Sequence, residues 1–175
     1  PMLQAVVDTA RELRPERIVI VAGNGKELIR NTVECEGAFY AVQDVPKGTG
    51  HALRCAKSSL RDFRGVVLVL NGDAPLLGSA TLRRFLSLHR KNSNDLSVLS
   101  FRAENPETYG RIVRDDSGRV LAIVEQKDAD SEQQRIDEVN SGVYALNSET
   151  LALVDRTRMN RKKGEFYLTD IVAAA

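Results

Sequence analysis

Apolar residues in this chain come in two spacings, and the two alternate. Leu3, Val6, Val7, Ala10 and Leu13 recur at helical intervals, and Pro15 stops that helix. Arg17 to Ala22, apolar from Ile18 on, then reads as a buried strand, closed by Gly23-Asn24-Gly25. A short helix is expected from Lys26 to about Val33, and a second strand from Phe39 to Gln43. A loop ending at Gly50 leads into a helix carrying Ala52, Leu53 and Ala56. The strand Val66–Leu70, a helix from about Ala80 to Lys91 and the strand Leu96–Arg102 follow. Strands alternating with helices at this spacing predict βαβ units and a parallel sheet with right-handed crossovers.

The second half changes character. Gly110–Arg114 and Arg119–Glu125, joined by Asp115-Asp116-Ser117-Gly118, read as a β-hairpin. Asp128–Gln134 is polar, a surface loop or short helix; Val139–Leu146 is another strand, and Ser148–Asp155 a short helix. No internal repeat, low-complexity segment or linker is visible, so one domain with an inserted hairpin is expected.

Composition narrows the class. With 42% hydrophobic and 28% charged residues, the chain is an ordinary globular one. A net charge of +1 predicts neither a nucleic-acid nor a membrane surface. Arg161-Lys162-Lys163 is the one basic cluster, read as a solvated loop. No apolar run approaches the ~20 residues of a bilayer span, and no signal-peptide pattern opens the chain. Cys35 and Cys55 lack metal or redox spacing, so a reduced, cytoplasmic protein is expected. A chain beginning at Pro1 also suggests a segment of something longer.

Two loops carry candidate chemistry. The strand Val66–Leu70 runs into Asn71-Gly72-Asp73, and open α/β sheets bind ligands at the carboxyl ends of their strands. A carboxylate there suits a hard cation holding phosphate oxygens, although Asn, Gly and Asp also make ordinary strand-to-helix turns. Lys47-Gly48-Thr49-Gly50-His51 likewise joins a strand to a helix, and unpaired N–H groups at a helix start suit anions and carbonyl oxygens. The spacing of a Walker loop occurs nowhere. His51 is read as fixing the loop rather than as a base, because phosphoryl transfer needs positioned charge more than a proton shuttle.

Six segments in order, Q-D-V-P-K-G-T-G-H-A, L-N-G-D-A-P-L, T-Y-G-R-I, I-V-E-Q-K-D-A, E-V-N-S-G-V-Y and G-E-F-Y-L-T-D, resemble the sugar-phosphate nucleotidyltransferases. The likeness is to the uridyltransferase domain of bacterial bifunctional enzymes making UDP-N-acetylglucosamine for the cell wall, and it runs nearly end to end. It implies an α/β fold: a Rossmann-like, mostly parallel sheet with helices on both faces, plus a small antiparallel hairpin. It implies uridylyl transfer from UTP to N-acetylglucosamine 1-phosphate, with Mg²⁺. By the same resemblance Gln43, Gly48 and Thr49 read the uracil edge, Asn71 and Gly72 line the ribose and phosphate, and Asp73 is the metal ligand. Gly110, Glu125 and Asn140 would bind the sugar phosphate, with Tyr109, Tyr167 and Thr169 as further contributors. A relative with another base or sugar, or a non-catalytic binding module, stays open.

The departures set further expectations. The family's first strand and its glycine-rich loop, roughly L-A-A-G-x-G-T-R-M, have no counterpart here, nor does an acetyltransferase β-helix. The family's second Mg²⁺ ligand would fall past Ala175. Residues 1–175 are therefore expected to be a partial domain, inactive and poorly stable alone, oligomeric only where a β-helix accompanies them. The missing strand would leave a gap flanked by unpaired backbone groups at the centre of the sheet.

Overall fold

Strand residues point alternately to opposite faces, and here each face finds its own helix. In β1 (Val19–Ala22), Ile20 joins a cluster with Val7 of α1 (Met2–Glu12), whereas Val19 and Val21 pack on the cluster of Leu53 and Ala56. Leu53 and Ala56 belong to α3 (Thr49–Ala56). In β3 (Val66–Val69), Val66 and Leu68 meet Leu82 and Phe85 of α4 (Ser79–Lys91); Val67 and Val69 face the α3 side. Both faces are thus covered by helices, as the unbroken apolar runs require. A computed structural model describes residues 1–23, 25–160 and 164–174; Asn24 and the basic run 161–163 lie outside the described residues.

The remaining elements are α2 (Lys26–Thr32), β2 (Phe39–Val42), β4 (Leu96–Arg102), β5 (Arg111–Arg114), β6 (Val120–Val124), β7 (Glu138–Asn147), β8 (Met159–Asn160) and β9 (Glu165–Phe166). The segments Ser148–Arg156 and Leu168–Ala174 are 3-10 turns. The α/β class stands, with helices on both faces and the expected hairpin formed by β5 and β6.

The pairing is less parallel than the alternation of elements implies. β1 pairs in parallel with β2, but β7 pairs antiparallel with both β3 and β4. β3 and β4 therefore share a direction without touching. Hydrophobic period reports which face is buried and not which way a strand runs, so β7 is invisible as an insertion until the pairing is seen. Strand β7 also holds a bulge. Leu99 lies opposite Val143 and Ser100 opposite Asn140, which leaves Ser141 and Gly142 unpaired. Before the bulge β7 meets β5 at Val139; after it, β7 meets β3.

Among the described residues β1 pairs only with β2, and β3 only with β7. Between the open edges of β1 and β3 lies a cavity of about 840 Å³, walled by Ile18–Val21, Gly65–Leu70, α1 and α3. Helix α1 ties the two sheets across it. Val7 packs beside Ile20, Leu13 beside Leu82, and Ser79 and Arg83 of α4 donate to the Glu12 carboxylate and carbonyl. Burying one Val side chain contributes about 1.5–3 kcal/mol, so the apolar face of α1 is a major part of what joins the halves.

Candidate nucleotide-sugar site

The cavity continues past the end of β3 into a polar mouth. Thr49, Asn71, Gly72, Tyr109, Gly110, Glu125, Asn140 and Thr169 all line it. These eight come from six separate segments of sequence. Gln43, Gly48, Asp73 and Tyr167 do not line it.

The base-side loop leaves the end of β2 and enters α3. Gly48 has φ +89°, a conformation costly for any other residue, and a Cβ there would lie 2.6 Å from the Phe166 carbonyl oxygen. The loop is clamped to β9: the Phe166 N–H donates to the Lys47 carbonyl at 2.7 Å, and the Leu168 N–H to Thr49 Oγ1 at 3.0 Å. With its oxygen accepting from Leu168, the Thr49 hydroxyl keeps its proton to donate. Gln43 stands at the start of this loop, its Nε2 3.1 Å from the Gly48 carbonyl oxygen and 2.9 Å from His51 Nδ1. Tyr167 lies against Gly50, where an added Cβ would come within 3.2 Å of its carbonyl carbon.

At the carboxyl end of β3, Asn71 turns into the bulge of β7. Gly142, with φ +77°, gives it room; a Cβ there would lie 2.1 Å from Asn71 Nδ2. Asp73 sits in the exposed turn that follows. Among the described residues no cluster of three or more His, Cys, Asp and Glu side chains could hold a metal.

The sugar side is built on β5, β6 and β7. Asn140 donates from Nδ2 to Tyr144 Oη at 2.8 Å and accepts the Gly142 N–H at 2.9 Å, so its amide is fixed in orientation. Burial pushes the Tyr144 phenol up, and the Glu125 charge adds to that, which keeps the phenol protonated. Thr169 Oγ1 lies 3.5 Å from Glu125 Oε1, and Gly110 is beside the same carboxylate, 3.7 Å from Oε1 to an added Cβ. Tyr109 packs edge-on against Phe101 at 5.2 Å.

Three supporting residues escape a reading of sequence. Arg111 is 1% exposed and donates to the Tyr109 carbonyl and to Gln126 Oε1, pinning the loop that carries Tyr109 and Gly110. A charged residue in R-I-V-R reads as facing solvent, so no pattern flags it. Gly142 and Ser141 form the bulge; a glycine inside an apolar strand was the available signal.

Comparison with known proteins places this geometry. Residues 1–175 match the family model described as nucleotidyl transferase. The chain is 40% identical over 173 residues to the Bifunctional protein GlmU of Staphylococcus carnosus, covering 98% of this chain and 38% of that protein. It is 44% identical over 176 residues to the protein of the same name from Dechloromonas aromatica, covering 100% and 38%. The chain thus spans about 38% of the length of these curated relatives. Among solved structures, UDP-glucose pyrophosphorylase complexed with UDP-glucose superposes with a TM-score of 0.76 at 21% identity, over 99% of this chain and 74% of that one. That structure shares the fold, and the family match runs from the first residue to the last: the chain belongs to the nucleotidyl transferase family.

Proposed function

We propose that this protein carries a uridylyl-transfer site that joins UTP to N-acetylglucosamine 1-phosphate, giving UDP-N-acetylglucosamine and pyrophosphate. One observation carries the reading: Glu125, Asn140 and Thr169 line the same cavity as Asn71, Gly72 and Thr49. A donor-and-acceptor set suited to sugar hydroxyls thus faces a loop pair suited to a nucleotide.

In the reaction, an oxygen of the sugar phosphate forms a bond to the α-phosphorus of UTP as the bond to the bridging β-phosphate oxygen breaks in line. Pyrophosphate leaves with that electron pair. No side chain acts as nucleophile, and the work of the protein is positioning and electrostatics. Thr49 and Gln43 hold the base. Asn71 and Gly72 allow close approach of ribose and phosphate, and Glu125 accepts from sugar hydroxyls beside the fixed amide of Asn140. Asp73 is the residue that would hold Mg²⁺. One exposed carboxylate fits a cation that keeps several waters and completes its shell with substrate phosphates. When bound, Mg²⁺ neutralises charge on the phosphate oxygens.

Calorimetric titration with UDP-N-acetylglucosamine, a thymidine diphosphate sugar and an adenosine diphosphate sugar tests the assignment. The uridine compound is expected to bind most tightly. Equal or tighter binding of another base would move the site to a relative with different nucleotide choice.

A further inference from the structure

The amide of Gln43 is held twice from one side. Its Nε2 lies 3.1 Å from the Gly48 carbonyl oxygen, which can only accept. That contact fixes which end of the amide is nitrogen. The same Nε2 lies 2.9 Å from His51 Nδ1, so Nδ1 accepts as well and the imidazole proton sits on Nε2. Both amide protons are now used. Among the described residues Oε1 accepts no hydrogen bond, and it is the one polar atom the side chain has left to offer.

His51 is itself held in place. Its ring stacks on Phe166 with centroids 6.3 Å apart and an interplanar angle of 29°, and its Nε2 lies 4.0 Å from Cys55 Sγ one helical turn on. Phe166 also carries the Arg54 guanidinium over its ring, 4.3 Å from the centroid. The imidazole is thus a braced acceptor.

We infer that His51 is a positioning residue for base choice: with the Gly48 carbonyl it locks the Gln43 amide so that Oε1 is presented as an acceptor, selecting a base edge with an N–H, as in uridine, over one with a bare ring nitrogen, as in cytidine. The inference rests on the proposed placement of the base beside Gln43. A free amide could rotate and offer its NH₂ to cytidine instead; the lock removes that option. Selectivity comes from the mismatch an acceptor makes with an acceptor, and not only from the bond made to uridine.

Two substitutions separate the acceptor from the ring. His51→Phe keeps an aromatic ring against Phe166 and removes Nδ1. His51→Asn removes the ring but keeps an acceptor oxygen at the same branch point from Cβ. UDP and CDP are titrated against each protein by calorimetry, with thermal melts alongside. The unsubstituted protein is expected to prefer UDP. In His51→Phe the UDP-to-CDP affinity ratio should fall about 3- to 10-fold, the effect of one ordinary hydrogen bond, and in His51→Asn it should be largely kept. An unchanged ratio in His51→Phe overturns the inference. So does a loss in His51→Asn as large as in His51→Phe, which would make the ring a packing element only. Absence of any uridine preference in the unsubstituted protein overturns the functional reading instead.

Discussion

Gly142→Ala is the substitution whose effect the structure sets most sharply. Gly142 lies in the bulge of β7 at φ +77°, and a Cβ there would sit 2.1 Å from Asn71 Nδ2. Gly118, in the hairpin turn, has nearly the same backbone at φ +83°, with nothing within 4 Å of an added Cβ. The two sites therefore share a backbone cost of about 1–2 kcal/mol for an L-residue in this region. They differ in the neighbour. In Gly142→Ala, Asn71 must leave its rotamer or the bulge must shift, which adds roughly 1–2 kcal/mol. The expected loss is about 1–2 kcal/mol for Gly118→Ala and about 2–4 kcal/mol for Gly142→Ala. Urea melts read both. Calorimetry with UDP reads the second consequence: displacement of Asn71 should weaken UDP about tenfold in Gly142→Ala and leave Gly118→Ala untouched, the worth of about one hydrogen bond. Equal destabilisation, or normal UDP affinity in Gly142→Ala, would refute the coupling of bulge and nucleotide loop.

Other substitutions probe other parts. Glu138 takes a two-pronged hydrogen bond from Arg114, at 2.7 and 2.8 Å, and one from Ser100 at 2.6 Å. The Arg114 bonds chiefly, aided by Ser100, hold its carboxyl down at about 2 from a usual 4.5. A depressed folded-state pKa gives stability that is full above about pH 4.5 and is lost as pH falls toward 2; Glu138→Gln should flatten that part of a stability–pH profile and cost roughly 1–2 kcal/mol at pH 7, an unchanged acid limb counting against the pair. Arg111→Lys replaces a rigid fork of two nitrogens, one on the Tyr109 carbonyl and one on Gln126, with a single ammonium, so urea melts should show a loss of about 1–3 kcal/mol; stability equal to that of the unsubstituted protein would mean that the buried guanidinium does not organise the loop. Asp73→Asn, at an exposed turn, should leave the melting temperature unchanged while lowering turnover of the native protein roughly 10²-fold, and turnover within a few-fold of normal would reduce that turn to a structural role.

Continuous apolar runs marked β1 and β3, and the spacing of Leu82, Phe85 and Leu86 marked α4, because burial on a face leaves a period in the sequence. The hairpin was legible from Asp115-Asp116-Ser117-Gly118, whose Asp115 carboxylate indeed accepts from Ser117 and Arg119. The direction of β7 was not legible, since its faces read the same whichever way it runs. Nor was the burial of Arg111, which depends on a carbonyl and an amide brought to it by the fold. The approach of Asn71 to Gly142 joins positions far apart in the chain, and no local pattern carries that. Of the site residues at the cavity mouth, Thr49, Asn71 and Gly72 were marked by their place where strands run into helices, and the rest came from family resemblance over several segments.

The central claim is that one cavity holds a uridine nucleotide at one end and a sugar at the other. Glu125→Ala addresses it directly, because Glu125 lies at the sugar end beside Thr169 and Gly110 while Thr49, Asn71 and Gly72 belong to the proposed nucleotide end. A hydrogen bond to a charged acceptor is worth about 1.5–3 kcal/mol, so Glu125→Ala should weaken UDP-N-acetylglucosamine by roughly 10- to 150-fold. Affinity for UDP, which lacks the sugar, should hold. Titrating both ligands against both proteins gives the answer: loss confined to the sugar nucleotide is the predicted result, and equal loss for UDP and UDP-N-acetylglucosamine would contradict the account.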